Sequence, residues 1–325
     1  MPEITTTDDQ AQLAHTGIRD AGSAPPIATT AAMVSPSARA GFPRVDYVRE
    51  GAMNEDFGVI EKPITPFERI FQQGAVRKAG ILILLAVIWQ LYAMKVNNAL
   101  IFPTFASTVE ALYQGFVHGN LASRMMFSIK VLLMGYTVGI VLAALLSMLA
   151  ISFRLGNDLL ETLTAMFSPL PAIALLPLAL IWFGLGNGSL VFVLVHSVLW
   201  PVALNTHSGF QSVSNTLRMV GHNYGLRGFG YVGKILIPAA FPNILSGLKI
   251  GWAFAWRTLI AAELVFGVSS GTGGLGWFIL ENKTQLEIAS VFAGLFTVIL
   301  IGLFVENLIF RTIEQKTVRK WGMQA

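Results

Sequence analysis

The sequence has no cysteine among its 325 residues, which excludes disulfide bonds, thiolate metal sites and cysteine nucleophiles. Charged residues are also scarce, since Asp, Glu, Lys and Arg make up only 12% of the chain, about half of the usual share. The five histidines are too dispersed for a metal cluster, and no local signature of a hydrolase is present. We therefore predict that the chain is not an enzyme and holds no metal and no cofactor of its own.

Apolar residues fill the chain instead. They make up 54% of it, which excludes an ordinary soluble protein. Crossing a bilayer takes about 20 residues, and six apolar segments reach or approach that length: residues 79–94, 131–153, 159–183, 190–204, 244–268 and 289–310. This pattern predicts an all-α membrane protein with six transmembrane helices embedded in a lipid bilayer.

Basic residues flank these segments and indicate the orientation of the chain. The formal net charge is only +4 and no RNA- or DNA-binding module is visible, so nucleic acid is not an expected partner. An even number of spans places both termini on one side, and that side carries eleven flanking Lys and Arg residues against four on the other. Positive-inside bias therefore predicts cytoplasmic N- and C-termini.

The N-terminal region differs in composition from the rest of the chain. Residues 1–65 are rich in Ala, Thr, Ser, Pro and Gly without helical or strand periodicity, so we expect a disordered cytoplasmic tail. Residues 66–78 place apolar side chains opposite charged ones, which predicts a short amphipathic helix on the membrane surface. Residues 79–321 are predicted to form the transmembrane domain.

Two loops on the predicted outer side carry recognisable patterns. Residues 109–116 place apolar side chains at helical spacing, which predicts a helix lying at the outer surface. Residues 271–276 are rich in glycine, and we expect a flexible outer loop there.

Three prolines, Pro169, Pro171 and Pro177, interrupt the third apolar segment. Each removes a backbone donor and clashes with the preceding turn, so this helix must kink or break where protein satisfies the freed carbonyl groups. Small residues four apart allow close helix packing elsewhere, and this spacing occurs at Gly135 and Gly139 and again at Gly247 and Gly251.

The loop between the fourth and fifth segments is polar and rich in glycine. Within it, residues 228–233 match the dinucleotide pattern GxGxxG, and residues 228–234 match the phosphate-loop pattern GxxxxGK. We reject both matches, because a phosphate-binding loop follows a buried strand and continues with Ser or Thr, whereas Ile235 follows here between two membrane spans. No nucleotide site is expected in this chain.

The same loop matches a longer pattern. Gly225 is followed by nine residues, then Ile235, one residue, Ile237 and Pro238. This spacing resembles the cytoplasmic signature of ABC importer permeases, which reads Glu-Ala-Ala, three residues, Gly, nine residues, Ile, one residue, Leu-Pro. Residues 219–221 read Met-Val-Gly in place of Glu-Ala-Ala, so the acidic residue of the signature is absent.

Other segments resemble the nitrate, sulfonate and taurine branch of that family. They are residues 101–103, 169–177, 182–186, 238–242, 247–249, 261–263 and 273–276, together with Trp321. The resemblance covers about residues 80–321 and leaves the N-terminal tail outside.

The resemblance implies a type I ABC importer permease-like fold. Such a permease would work as a homodimer with two cytoplasmic ATPase subunits, which hold ATP and Mg²⁺, and with an extracytoplasmic substrate-binding protein. It would import a small anion, such as taurine, another aliphatic sulfonate or nitrate, across a bacterial cytoplasmic (inner) membrane. Loop 215–238 would then contain the coupling helix, with coupling to the ATPase assigned to Arg218, Met219, Gly221, Gly225, Ile235, Ile237 and Pro238.

The translocation pathway is expected to use the prolines of the third segment and selected groups of the later spans: Pro169, Pro171, Pro177, His196, Asn205, Trp256, Arg257 and Glu263. Arg257 leaves two interpretations open, a bidentate donor to a passing anion or a structural ion pair with Glu161 or Glu306. For His196, hydrogen-bonded packing is favoured over a role as ligand.

An ion-coupled secondary transporter is the alternative function. Transporters of that class are expected to show internal repeats and acidic residues in mid-span. The sequence shows no repeat, and its acidic residues lie near the ends of the spans.

Overall fold

A computed structural model describes residues 74–266 and 273–322 of the chain. The predicted tail at 1–65 and the predicted surface helix as far as residue 73 lie outside the described residues. Within the described ranges the chain is helical and contains no strand. The prediction of an all-α protein is confirmed.

The helices follow one another closely. In chain order they are α1 (Gly74–Val96), α2 (Phe105–Val117), α3 (Leu121–Ser152), α4 (Arg154–Phe167), α5 (Leu176–Phe183), α6 (Asn187–Gln211), α7 (Asn215–Asn223), α8 (Gly228–Tyr231), α9 (Ile237–Phe266), α10 (Leu275–Thr284), α11 (Ile288–Phe304) and α12 (Arg311–Glu314). A tight 3-10 turn, Ala172–Leu175, precedes α5, and wider π turns occupy Val232–Leu236, Val305–Phe310 and Gln315–Arg319.

Five continuous helical stretches are long and apolar enough to cross a membrane: Val76–Val96, Leu121–Ser152, Asn187–Gln211, Gly228–Val265 and Ile288–Arg319. A further crossing is interrupted, since Arg154–Phe167 and Ala172–Phe183 are bent by 87° relative to each other. Counted as one span, this pair brings the total to the six that were predicted. The break lies where Pro169 and Pro171 withhold backbone donors, as expected.

The described part of the predicted surface helix joins the first span without a break. Residues 74–78 are the first turns of α1, which runs on to Val96 without interruption. Residues 74–96 contain no proline, so nothing stops the helical hydrogen-bond ladder between the two predicted elements. By contrast, the helix predicted over residues 109–116 is present within α2, which begins where Thr104 accepts a hydrogen bond from the Ser107 N–H at 3.1 Å.

Helices α3, α6 and α9 form the core, and glycine sets how closely they approach. A Cβ atom at Gly139 of α3 would lie 2.7 Å from Cβ of Val198 on α6. One at Gly247 of α9 would lie 2.8 Å from Cβ of Asn205, also on α6. Distances this short are not tolerated, so the predicted role of the small residues in close packing is confirmed.

The C-terminal helices are fastened to the first half of α9. The Lys249 ammonium forms an ion pair with the Glu314 carboxylate at 2.6 Å, and both side chains are about a quarter exposed. Nearby, the rings of Phe241 and Trp321 pack edge to face at 5.7 Å. The end of the chain is thereby held against the part of α9 that follows loop 215–238.

Candidate functional site

Loop 215–238 folds as a short helical hairpin whose turn depends on Gly225. Helix α7 ends in two bonds that run back into it, from the Gly225 N–H to the His222 carbonyl (2.9 Å) and from the Leu226 N–H to the Gly221 carbonyl (3.1 Å). This is a Schellman motif, which requires a left-handed residue just past the helix. Gly225 supplies it with φ of +72°. The glycine of the sequence signature is therefore needed for its backbone conformation.

Gly221 brings the two arms of the hairpin together. It is buried, and a Cβ atom there would lie 3.0 Å from the Tyr231 ring and 3.1 Å from the Ile235 side chain. The neighbouring His222 ring stacks on Tyr231 with centroids 4.9 Å apart. Two positions of the signature, Gly221 and Ile235, thus face each other across the hairpin.

Pro238 marks the point where the hairpin becomes a membrane helix. A proline at this position cannot donate to the Lys234 carbonyl, as a plain α-helix would require. A wider turn at Val232–Leu236 precedes it, with the Ile237 N–H bonded to the Val232 carbonyl. Because this turn keeps the chain helical, Gly228–Val265 forms one continuous stretch of 38 residues.

Arg218 ties the hairpin to the end of α6. Its guanidinium donates from Nε to the Val213 carbonyl at 3.0 Å and from a terminal nitrogen to the Phe210 carbonyl at 2.6 Å. Phe210 lies in the last turn of α6 and Val213 just after it, where carbonyl groups lack helical partners and a positive charge is favourable. Arg218, predicted as a coupling residue, here anchors the hairpin to the membrane helix before it.

Three large apolar side chains of the hairpin are more than half exposed, and a fourth, Val220, is 41% exposed. Met219 is 59% exposed, Tyr224 82% and Phe229 84%. Residues 215–234 include several basic side chains and no Asp or Glu. We refer to Met219, Tyr224 and Phe229 as the apolar loop residues. Apolar groups set in a polar, basic loop are typical of a surface that a protein partner covers.

A cavity of about 400 Å³ opens at the break between α4 and α5 and reaches α6 and α9. Four of the residues predicted for the pathway line it: Pro169, Pro171, His196 and Arg257. The remaining lining residues are Ser168, Leu170, Ala172, Ile173, Ser197, Trp200, Pro201, Phe254, Thr258 and Ala261. Its volume is in the range of small-molecule sites, about 300–1,000 Å³.

His196 in the cavity wall does not make the hydrogen bond that was expected. Among the described residues neither ring nitrogen has a partner, and the same holds for the indole nitrogen of Trp200 one turn later. Both rings instead contact Phe167: the Trp200 ring stacks on it at 5.6 Å, and the His196 ring meets it edge-on at 6.5 Å. Their polar atoms are buried but not committed to a structural bond.

Arg257 lies on the exposed side of α9, against the cavity. Neither predicted ion pair is formed within the described part of the chain. Glu161 instead accepts a hydrogen bond from the Asn157 amide at 2.8 Å, within α4. The guanidinium lies 6.0 Å from the centre of the Phe254 ring, a distance at which a cation–π attraction is weak.

Glu263, which was predicted for the pathway, lies away from the cavity in a buried cluster. It is 2% exposed, accepts from the Ser128 hydroxyl at 2.8 Å and accepts from the Gly276 N–H at 2.8 Å. The Ser128 hydroxyl oxygen also accepts the Leu275 N–H at 2.8 Å. The carboxylate therefore sits at the N-terminus of α10, where free N–H groups favour an anion.

The glycines before α10 are not the flexible loop that was predicted, as far as the structure describes them. Gly273 to Gly276 are buried, while 271 and 272 lie outside the described residues. A Cβ atom at Gly274 would overlap the Glu263 carboxylate and the Ser128 hydroxyl. Arg124 completes the arrangement by donating to the Gly273 carbonyl at 3.0 Å. Close packing of the glycines around a buried carboxylate makes this segment part of the core.

Three other predicted pathway residues have packing roles in the structure. The Asn205 amide donates to the Pro201 carbonyl within α6 at 2.8 Å. The buried Trp256 indole donates to the Val298 carbonyl of α11 at 3.3 Å. Pro177 lies in the first turn of α5, where the missing N–H has no helical acceptor in any case. None of the three lines the cavity.

Sequence reasoning missed Ser197, Trp200 and Thr258 in the cavity wall. The helical spacing of these residues could have identified them. One helix face carries positions 196, 197 and 200, and a face of the next span carries positions 254, 257, 258 and 261. Read this way, polar and aromatic residues at that spacing on two spans indicate a shared face.

Comparison with known proteins places the chain among transport permeases. A putative ABC transporter permease protein of Methanocaldococcus jannaschii is 33% identical over 245 residues, covering 74% of this chain and 90% of the relative. The taurine transport system permease protein of Escherichia coli is 27% identical over 234 residues, covering 69% and 82%. The nitrate import permease protein of Synechocystis is 27% identical over 253 residues, covering 75% and 90%.

The family model described as the binding-protein-dependent transport system inner membrane component matches residues 135–319, more than half of the chain. The matched region contains the hairpin, the cavity and Glu263, whereas Ser128, the hydrogen-bond partner of Glu263, lies just before it. Permeases of this family generally work with ATPase subunits and a substrate-binding protein. The chain belongs to this family of ABC importer permeases and is a multi-pass protein of the cytoplasmic membrane.

Proposed function

We propose that this permease imports a small anion, a sulfonate or nitrate, as a homodimer driven by two separate ATPase subunits that hold ATP and Mg²⁺. The observation that carries the proposal is the hairpin 215–238, which exposes three apolar side chains and continues directly into the helix beside the cavity. Membership of the ABC importer permeases favours this function over ion-coupled secondary transport.

The hairpin is suited to dock on an ATPase subunit. Its turn is fixed by Gly225 and its arms by the contact of Gly221 with Ile235, so it presents the apolar loop residues on a rigid support. Met219 occupies the place of the acidic residue in the family signature. We therefore infer that the partner offers an apolar groove with an acidic rim, which complements the basic residues of this loop.

Movement of the hairpin would reach the cavity through α9. The helical stretch Gly228–Val265 contains the second arm of the hairpin at one end and Arg257 near the other. Packed helices shift as units, so closing the ATPase pair would move this stretch and alter the cavity wall. Alternating access of the pathway would follow from that motion.

The chemistry of the cavity supports an anion as substrate. Arg257 is charged, and none of the described lining residues is acidic. The relatives from Escherichia coli and Synechocystis are named for taurine and nitrate, which are compounds with small oxyanion groups. A guanidinium suits such groups because it can donate two parallel hydrogen bonds.

The proposed assembly also sets the orientation of the chain. The termini and the hairpin would face the cytoplasm, where the ATPase subunits bind, in agreement with the excess of basic residues on that side. A substrate-binding protein would deliver the anion from the opposite side.

Reconstitution tests the function. The full-length permease would be incorporated into liposomes with candidate ATPase and binding-protein subunits, and uptake of labelled taurine and nitrate measured with and without ATP. We expect ATP-dependent uptake of at least one of the two. Uptake driven by a proton or sodium gradient without the ATPase would contradict the proposal.

A pair of variants tests the docking surface. Phe229→Ser removes one apolar loop residue, and burial of such a side chain is worth about 1.5–3 kcal/mol, so retention of the ATPase on the purified permease should fall by at least about tenfold. Leu155→Ser is the matched control, since Leu155 is 81% exposed but lies at the start of α4. An equal loss of ATPase retention in both variants would contradict the assignment of this surface to docking.

A further inference from the structure

We infer that the cavity beside Arg257 is itself an oxyanion-binding site, so that the permease selects its substrate in addition to any binding protein. The inference takes its substrate class from the proposed function and assigns the site to Arg257, Thr258, Trp200 and His196. Nothing in the family match requires a binding site at these residues.

Arg257 carries a permanent charge inside a spanning helix. This residue lies eight positions before Val265, the end of its spanning helix, which puts it well inside the hydrophobic part. A charge at such depth is costly unless it meets water or a counter-charge. The described part of the chain supplies no ion-pair partner. An anion entering the cavity would therefore be stabilised by a charge that the fold leaves available.

Neighbouring hydroxyl groups extend the donor set. Thr258 follows Arg257 in sequence, and its hydroxyl oxygen lies 3.0 Å from that of Ser197 on α6. When Ser197 donates in this bond, the Thr258 proton is free to donate to a ligand. Arginine and threonine then offer three N–H or O–H donors from one turn of α9, a number suited to the oxygens of nitrate or a sulfonate.

The side chains of Trp200 and His196 provide further polar groups that could bond to a ligand. The Trp200 indole N–H and both His196 ring nitrogens are buried and unpartnered within the described residues. A buried polar group without a partner is unfavourable. An anion within reach of either ring would satisfy its unpartnered group, at the expense of part of the contact of that ring with Phe167.

The remaining wall explains why the site would discriminate by charge. Pro169, Pro171, Ile173 and Ala261 contribute apolar surface, and no carboxylate of the described lining faces the cavity. A cation would find no ionic partner and would be repelled by Arg257. An apolar, weakly solvated wall strengthens the attraction between a guanidinium and an anion.

Ligand-observed NMR on the full-length chain in lipid nanodiscs tests the site. Saturation transfer to methanesulfonate would be titrated, with tetramethylammonium as a cation of similar size. We expect transfer to methanesulfonate only, and Arg257→Gln should weaken binding by about tenfold to a hundredfold, as for loss of charge-assisted hydrogen bonds. The affinity of Arg257→Lys for methanesulfonate should lie between those of the unchanged chain and of Arg257→Gln, because lysine keeps the charge but cannot donate two parallel hydrogen bonds.

Two further variants keep the test decisive. Arg154→Gln removes an exposed arginine at the start of α4, outside the cavity, and should bind as the unchanged chain does. Thr258→Val, close in shape to threonine, should weaken binding a few-fold and serves if Arg257→Gln fails to fold. Binding that is equal in Arg257→Gln and the unchanged chain, or equal transfer to tetramethylammonium, would overturn the inference.

The result of the binding test can be distinguished from the result of the transport test. If methanesulfonate binds through Arg257 but ATP-driven uptake is absent, the site stands and the transport assignment falls. If taurine or nitrate uptake is intact and unaffected by Arg257→Gln, the transport assignment stands and the cavity site falls.

Discussion

The two ends of the helical stretch Gly228–Val265 are built in opposite ways. At its first end the hairpin leaves three large apolar side chains exposed and places basic groups around them. At its last end Glu263 is buried, and its carboxylate accepts from Ser128 and Gly276. One end thus leaves apolar surface available for the proposed partner, while the other is packed in the core, where it would act as a pivot in the proposed motion.

Glycine serves a different purpose at each end. Gly225 has open space around its Cα, and only its positive φ excludes other residues. Gly274 has no such open space, because a side chain there would collide with the Glu263 carboxylate. Variants at the fixed end should therefore reduce stability, and variants at the free end should reduce coupling at constant stability.

The largest effect is expected for Glu263→Ala. It leaves the Gly276 N–H without its acceptor and removes a bond from Ser128, and each unsatisfied buried group costs about 1–3 kcal/mol. We predict a loss of about 3 kcal/mol in unfolding free energy, seen as a lower melting temperature of the detergent-solubilised protein. Glu306→Ala is the control, since Glu306 is exposed. A melting temperature of Glu263→Ala equal to that of Glu306→Ala would contradict a fixed end of the helix at Glu263.

Gly274→Ala should have the next largest effect. The added methyl group overlaps Ser128 and Glu263, neither of which can withdraw without losing its hydrogen bonds. We predict a loss of about 2 kcal/mol, in the range for overpacking of a core, measured by the same melting experiment. Gly230→Ala, with nothing within 4 Å of the new methyl group, should leave the melting temperature unchanged.

Gly225→Val should separate ATP hydrolysis from transport. A β-branched residue at φ of +72° is strained, so the exposed turn of the hairpin would rearrange locally without disturbing the packed core. We expect normal membrane insertion and melting, with uptake per ATP hydrolysed reduced by about tenfold. Gly225→Asn should retain most coupling, because asparagine tolerates the left-handed region. Wild-type coupling in Gly225→Val would refute a role for this turn.

The smallest effect is expected for Lys249→Met. It removes the ion pair with Glu314, which is partly exposed and so contributes at most about 1 kcal/mol. Methionine retains an unbranched apolar stem in place of that of lysine. We predict a slight fall in melting temperature that disappears in high salt, because screening already weakens the pair there. A large fall at all salt concentrations would mean that the C-terminal helices are part of the fixed end.

Much of this architecture could be predicted from the sequence. The lengths of the apolar segments predicted the spans, and the prolines predicted the break between α4 and α5. The spacing of the glycines predicted the close approach of α3, α6 and α9. The spacing from Gly225 to Pro238 located the hairpin. These features depend on residues near one another in the chain, where local rules apply.

Long-range contacts escaped prediction for a physical reason. Whether Glu263 serves a pathway or a core depends on Ser128, which lies 135 positions away, and spacing within one helix carries no such information. The same holds for Trp256, whose acceptor, the Val298 carbonyl, lies 42 positions away. Arg257 was correctly singled out as a costly charge, yet the sequence left open the ion pair that the described structure does not contain.

The wide turn at Val232–Leu236 sets the rotational phase between the hairpin and α9. Successive helical residues are about 100° apart around the axis, so deleting one residue of this turn would rotate the apolar loop residues about 100° away from their direction relative to Arg257. Every other side chain would still be present, but the docking surface would no longer point in its original direction relative to the cavity. The turn thus preserves an angle between two sites that do not touch.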